Sequence, residues 1–106
     1  MANTTTITGR FINIAFDNAT DWLLSTEFPD SADVGLFVKS ITFIPNASDD
    51  KLVIRNGSIT GTVIYSEKAT GPYDTRIRNF GGACIKPYIE STDCSTASCV
   101  AVIELM

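Results

Sequence analysis

The chain has no histidine among its 106 residues and only three cysteines. Histidine is the usual acid–base group and metal ligand near neutral pH, so neither a Ser-His-Asp nor a Cys-His arrangement can be built within this chain. A closed zinc site needs four ligands, and Cys84, Cys94 and Cys99 supply three. The odd cysteine count argues against a disulfide framework. Cys94 and Cys99, in CSTASC, would close a small loop if oxidised, but reduced thiols acting as small buried hydrophobes are the favoured expectation. No catalysis, no metal and no cofactor are expected. Long apolar runs are also missing, and none approaches the ~20 residues of a membrane span. Basic residues are scarce, eight against twelve acids, for a net charge of −4. That balance disfavours non-specific binding to nucleic acid or to an anionic membrane. The start, MANTTTITGRF, has no basic region followed by an apolar block, so no secretory signal is expected.

What is present is strand grammar. The hydrophobic fraction of 44% and charged fraction of 19% belong to a folded globular chain of one domain. Thr4 to Phe16 reads as one strand, with residues 1–5 as a polar arm. The apolar knot Trp22-Leu23-Leu24 fits a short helical turn capped by Thr20 or Asp21, or a short strand. Residues 28–35 hold Pro29, Asp30, Ser31, Asp33 and Gly35 and predict an exposed loop. LFVKSITFIP (36–45), the turn-rich NASDD and KLVIRNGS predict a β-hairpin. Within its first strand, Phe37, Ile41 and Phe43 share one face and Val38 and Ile44 the other. Apolar groups on both faces mark a central strand. Asn56-Gly57-Ser58 signals a tight turn into ITGTVIYSE, and residues 67–75 read as a long loop. Gly81-Gly82 marks a bulge or a turn. Pro87 cannot donate to a ladder, which predicts an edge strand. Val100 to Leu105 predicts a closing strand buried on both sides. Seven or eight strands of this kind specify an all-β, single-domain antiparallel β-sandwich or jelly roll.

Few residues stand out for chemistry. Four N-glycosylation triplets begin at Asn3, Asn18, Asn46 and Asn56, and the favoured role for these asparagines is local bonding to turn backbone. Asp49-Asp50 would suit calcium only if other loops added oxygens, so a solvated turn is expected there, as for Asp30 and Asp33. Lys86 beside Tyr88 specifies nothing alone. Arg76 and Arg78 flank Ile77 near Phe80 and Tyr73, the one basic, aromatic-bearing patch. Planar guanidinium groups bind carboxylates well, and a protein interface is preferred there over nucleic acid. Trp22, the only tryptophan, is either an interface anchor or a cap on one end of the sandwich, its N–H bonded to backbone.

The order of VKSITFIPN, KLVIRNGSITGTVIYS and CIKPYIESTDC, then an apolar closing strand, resembles small β-sandwich proteins in the virions of tailed bacteriophages. In these a V-K-S-I-x-F-x-P strand precedes an I-R-x-G-S-x-x-G-x-x-I hairpin and a late P-Y-I segment. The matching residues are Val38 to Pro45, Ile54 to Ile64 and Pro87 to Ile89, and the likeness spans roughly residues 36 to 105. The resemblance implies a non-enzymatic virion protein, assembled in the host cytoplasm. It would be a decoration or cement protein that binds the major capsid protein or another virion protein, as a dimer or trimer. No catalytic residue travels with the family. The contacts are expected at the N-terminal arm, Ala2 to Thr8 with Thr4, Thr5, Thr6 and Ile7, since a β-prone arm can add to a neighbour's sheet edge. The loop from Thr26 to Val34 is expected to add Phe28 and Pro29 as an apolar anchor in an acidic rim. Trp22, Tyr73, Arg76, Arg78 and Tyr88 complete the candidate interface. The competing functions are a tail or neck component, and a carbohydrate-binding adhesion module using Trp22, Tyr73 and Tyr88 as its aromatic platform.

Overall fold

Alternating β-branched and polar residues carry most of the chain into strands. The computed structural model describes residues 3–16, 21–31, 33–46, 50–71, 74–90 and 99–106. Its strands are β1 (Thr4–Thr8), β2 (Phe11–Ala15), β3 (Trp22–Leu23), β4 (Leu36–Ile44), β5 (Lys51–Asn56), β6 (Val63–Lys68), β7 (Arg76–Ile85), β8 (Pro87–Ile89) and β9 (Val100–Leu105). One helical turn, α1 (Leu24–Glu27), and a 3₁₀ turn (Pro29–Ser31) follow β3. All pairings are antiparallel and form two sheets, β1-β2-β9-β4-β7 and β3-β8-β5-β6. The all-β, sandwich-like fold is as the sequence specifies, with nine strands among the described residues and not seven or eight, because the first expected strand divides into β1 and β2.

The inner faces carry the core. Ile12 and Ile14 of β2, Val38, Ile41 and Phe43 of β4, and Ala101 and Ile103 of β9 are buried on one sheet. Leu52 and Ile54 of β5, Tyr65 of β6, Ile89 of β8 and Trp22 of β3 are buried on the other. Each buried large side chain contributes about 1.5–3 kcal/mol of transfer free energy, so these two faces are the main source of stability.

Several local expectations change. Thr4 to Phe16 is a hairpin and not one strand: β1 and β2 pair from Thr4↔Ala15 to Thr8↔Phe11 about Gly9-Arg10. Gly9 takes φ +59°, the left-handed conformation that tight hairpin turns require. Thr4 and Thr5, expected in a loose arm, are ladder residues. Leu36–Pro45 and its successor are also no hairpin. β4 is flanked by β7 and β9, which leaves no free edge for β5, and β5 crosses to the other sheet between β8 and β6. The β4 faces shift for a related reason. Val38 pairs with Leu105 and Ser40 with Glu104, so Lys39 is an extra residue on β4. Such a bulge reverses the parity beyond it. Val38 therefore joins Ile41 and Phe43 in the core, while Phe37 points outward and is 63% exposed.

Gly81 and Gly82 do lie in an irregularity, within β7 and opposite Lys39, and both have positive φ. Asn56-Gly57 begins a six-residue connection, not a two-residue turn, since β6 starts at Val63. Gly57 donates its N–H to the Lys86 carbonyl at 2.7 Å, and Asn56 Oδ1 accepts from the Lys86 N–H at 3.0 Å. β8 is not an edge strand, because β3 pairs with it at Tyr88 and Ile89. Pro87 lies just past that two-residue ladder, where β3 has given way to α1. β9 is central, but its Val100 and Val102 face is half-buried.

The buried Trp22 donates Nε1–H to Thr5 Oγ1 at 3.0 Å, which links the edge strands of the two sheets. Thr5→Val keeps the shape and removes the acceptor. It is expected to cost about 1–3 kcal/mol, the penalty of an orphaned buried donor. Urea unfolding followed by tryptophan fluorescence measures it.

Candidate protein interface

Most of the expected contact residues are engaged within the chain. Trp22 is 1% exposed and packs against Phe28, with ring centroids 6.3 Å apart and tilted by 58°. Its indole is thus a cap on the sandwich, bonded to a threonine hydroxyl and not to backbone. Phe28, expected as an outward anchor, is half-buried on Trp22, and its N–H closes α1 on the Leu24 carbonyl at 2.7 Å. Pro29 is exposed. Thr4 and Thr6 are exposed on the outer side of β1, and Thr5 is turned inward to Trp22. Ile7 points to the core side but is 56% exposed.

Arg76 and Arg78 do not form a free basic patch. They lie opposite the core residues Phe43 and Ile41, and their side chains reach across to β6. Arg76 grips Asp74 with Nε at 2.9 Å and Nη2 at 2.7 Å, and Nη1 reaches Glu67 at 3.3 Å. The Arg76 hydrogen bond, helped by the Thr70 N–H, holds the Asp74 carboxyl well below the usual carboxylate range. Asp74 in turn raises the Arg76 pKa. Arg78 donates to the Ile64 carbonyl at 3.0 Å, and its guanidinium lies 5.3 Å from the Phe80 ring centroid. Tyr73 lies outside the described residues.

Tyr88 donates its hydroxyl to Asp21 Oδ2 at 2.6 Å. This bond, then burial, pushes its pKa up to about 12. Tyr88 lines a recess of about 70 Å³ with Leu23, Leu24, Ser25, Lys86 and Pro87. That is room for a few water molecules. With Trp22 buried, the three-ring platform expected of a sugar-binding module is not formed.

Asp50 corrects another expectation. Expected in a solvated turn, it is fully buried. Its Oδ2 accepts the Asn46 N–H at 2.8 Å and the Cys99 thiol at 3.1 Å, and its carbonyl accepts the Ala69 N–H at 2.8 Å. Through its carboxylate and its backbone carbonyl together, Asp50 therefore joins three segments where the chain passes from one sheet to the other. Cys99 is buried, as expected of a small hydrophobe, whereas Cys84 is exposed. Cys84 donates to the Val34 carbonyl at 3.0 Å. Asp49 and Cys94 lie outside the described residues. Among the described residues, no three His, Cys, Asp or Glu side chains cluster as metal ligands.

The surface that sequence reasoning missed is the outer face of the five-stranded sheet. The registers set Ile77, Thr42, Val102, Asn13 and Thr6 in one row across it. Ile44, Val100, Ala15 and Thr4 form the next, and Asn79, Ser40, Glu104, Phe11 and Thr8 flank the first on its other side. Ile77 is 71% exposed. The one ionisable group in these rows, Glu104, is neutralised by Lys39 at 3.6 Å and Arg10 at 3.8 Å. The bulge at Lys39 hid this face, because without it Ile41 and Phe37 fall on the same side.

The chain matches no protein-family model, no curated protein and no solved structure.

Two phenols of the four-stranded sheet give the fold a pH signature. Burial, reinforced by Glu67, raises the Tyr65 pKa from 10.0 to about 12, alongside the rise at Tyr88. Above pH 10 the folded state holds these protons more tightly than the unfolded state does, so stability falls as pH rises toward 12. Tyr65→Phe is expected to flatten part of that fall. At neutral pH it should leave stability unchanged or raise it, because the buried Tyr65 hydroxyl has no hydrogen-bond partner among the described residues. Urea midpoints across the alkaline range, wild type against variant, test both statements.

Proposed function

We propose that the chain is a non-enzymatic structural protein of a bacteriophage virion. It decorates the outside of the head by laying the outer face of its five-stranded sheet on the major capsid protein. The observation that carries this reading is the charge-poor, Thr-, Val- and Ile-rich face described above, on a chain whose net charge is −4. A face from which charge has been removed suits burial against another protein, since interface cores are depleted in charged residues. Exposed apolar area of this kind marks protein interaction sites more often than free surface. The order of sequence motifs from Val38 to Ile89, which resembles that of small virion sandwiches, supports the same class. The Trp22-Phe28 contact leaves little of the loop anchor for a partner, so the sheet face takes its place in the proposal.

The test uses heads of the cognate phage prepared without this chain. Purified protein is expected to co-sediment with heads and not with isolated tails. Ile77→Asp places an unpaired carboxylate within the buried area, at its β7 end, and should weaken binding at least about tenfold. Tyr88→Phe, on the other sheet, should bind as the wild type does. Equal binding by Ile77→Asp would remove the outer face from the proposal, and binding to tails alone would make the chain a tail component.

A further inference from the structure

Asparagine is a thermolabile residue, because the backbone nitrogen of the next residue can attack its side-chain amide. The attack is fastest where that next residue is glycine, which has no Cβ to crowd the nitrogen. The chain has six asparagines, and only Asn56 precedes a glycine. Asn56 and Gly57 are both exposed, and a Cβ added at Gly57 would meet nothing, so solvent reaches the pair. Yet the two groups that must react are both held by the backbone of one residue. Asn56 Oδ1 accepts the Lys86 N–H at 3.0 Å, and the Gly57 N–H donates to the Lys86 carbonyl at 2.7 Å.

We infer that Asn56-Gly57 is a deamidation site guarded by β8, which reacts when Lys86 moves away from the end of β5. In the reaction the Gly57 nitrogen loses its proton to solvent base and bonds to Asn56 Cγ. The Cγ–Nδ2 bond breaks, and Nδ2 leaves as ammonia with a proton from water. Water then opens the resulting cyclic imide. Opening at Cγ leaves aspartate at position 56. Opening at the main-chain carbonyl leaves isoaspartate, whose backbone runs through the former side chain. The net change converts an amide and water into a carboxylic acid and ammonia, with no oxidation. In the closed fold the first step is opposed twice. The proton that must leave is engaged with the Lys86 carbonyl, and the amide cannot rotate without losing the Lys86 N–H. The guard is short. β8 has three residues, pairs with β3 at two positions, and brings no N–H from Pro87 to its pair with Asn56. A ladder of this length opens locally at a lower free energy than the whole fold. Aspartate keeps an acceptor for the Lys86 N–H. Isoaspartate lengthens the backbone by one methylene at the last residue of β5, which shifts Gly57 off Lys86 and leaves β8 loosened. Deamidation is therefore a one-way record of β8 opening, confined to the four-stranded sheet.

Incubation of the full chain with reductant in mildly alkaline buffer, native and in unfolding urea, tests this. Peptide mapping by mass spectrometry locates the converted amide, and isoaspartyl methyltransferase counts the isoaspartate. Asn56 is expected to convert first in both conditions, and at least about tenfold more slowly in the native chain. Urea below the unfolding transition should raise the native rate, with a shallower slope than that of global unfolding. Lys86→Pro removes the N–H that holds Asn56 Oδ1 and should move the native rate toward the unfolded one. Where that variant does not fold, the urea series on the wild type decides the same point. The isolated isoaspartate form should exchange the Tyr88 and Ile89 amide hydrogens faster, with β4 and β9 unchanged. Equal native and unfolded rates overturn the inference. So does another asparagine converting first, a native rate that low urea leaves flat or raises with the full global slope, or a folded Lys86→Pro that reacts as slowly as the wild type. Wild-type exchange at Tyr88 and Ile89 in the isoaspartate form overturns the loosening of β8.

Discussion

Two apolar sheet faces stay dry only if the gaps between their edge strands are shut, and the rest of this molecule is arranged around that closure. On one side Trp22 fills the gap, with its ring against Phe28 and its N–H on the Thr5 hydroxyl of the facing sheet. On the other side Arg76 and Arg78 cross from β7 to β6, one to Glu67 and one to the Ile64 carbonyl. The two closures use opposite chemistry. One is a buried aromatic with a single satisfied donor. The other is a row of half-exposed guanidinium groups whose stems cover apolar surface while their heads remain wet. Both consume residues whose types would otherwise mark a binding site.

The strands were largely legible from the sequence, because alternation is a local property. Phe11–Ala15, Leu36–Ile44, Lys51–Asn56, Val63–Lys68 and Val100–Leu105 each carry it. Pairing was less legible, because it is decided by which edges are already taken. β4 and β5 look like a hairpin only while β7 and β9, far away in sequence, are ignored. The one-residue bulge at Lys39 was invisible for the same reason, since it exists only against the Val38↔Leu105 and Ser40↔Glu104 pairs. Asp50 shows the limit most clearly. An acid in a turn-rich loop reads as solvated, and only the folded chain brings the Asn46 N–H and the Cys99 thiol to its carboxylate.

The candidate site followed the same pattern. The residues singled out by type, Trp22, Phe28, Arg76, Arg78 and Tyr88, have internal partners. What remains available is a surface defined by what it lacks. The outer face of the five-stranded sheet holds threonine, valine and isoleucine, with one acid shared between two cations. No single residue of that face attracts attention in sequence. Its character emerges from five strands drawn from both ends and the middle of the chain.

The place of β9 has a consequence for how the molecule is made. It lies between β2 and β4, and Ala101 and Ile103 fill the middle of the larger core face. Synthesis delivers this strand after both of its neighbours. Until then Ile12, Ile14, Ile41 and Phe43 belong to two strands with no ladder between them. The loop that must close to bring β9 beside β2 is among the longest the chain offers, and its entropy is lost before its contacts form. The nascent polypeptide thus passes through an interval in which two hydrophobic strands are open to intermolecular capture, and the speed of that final insertion governs how much of it reaches the native state.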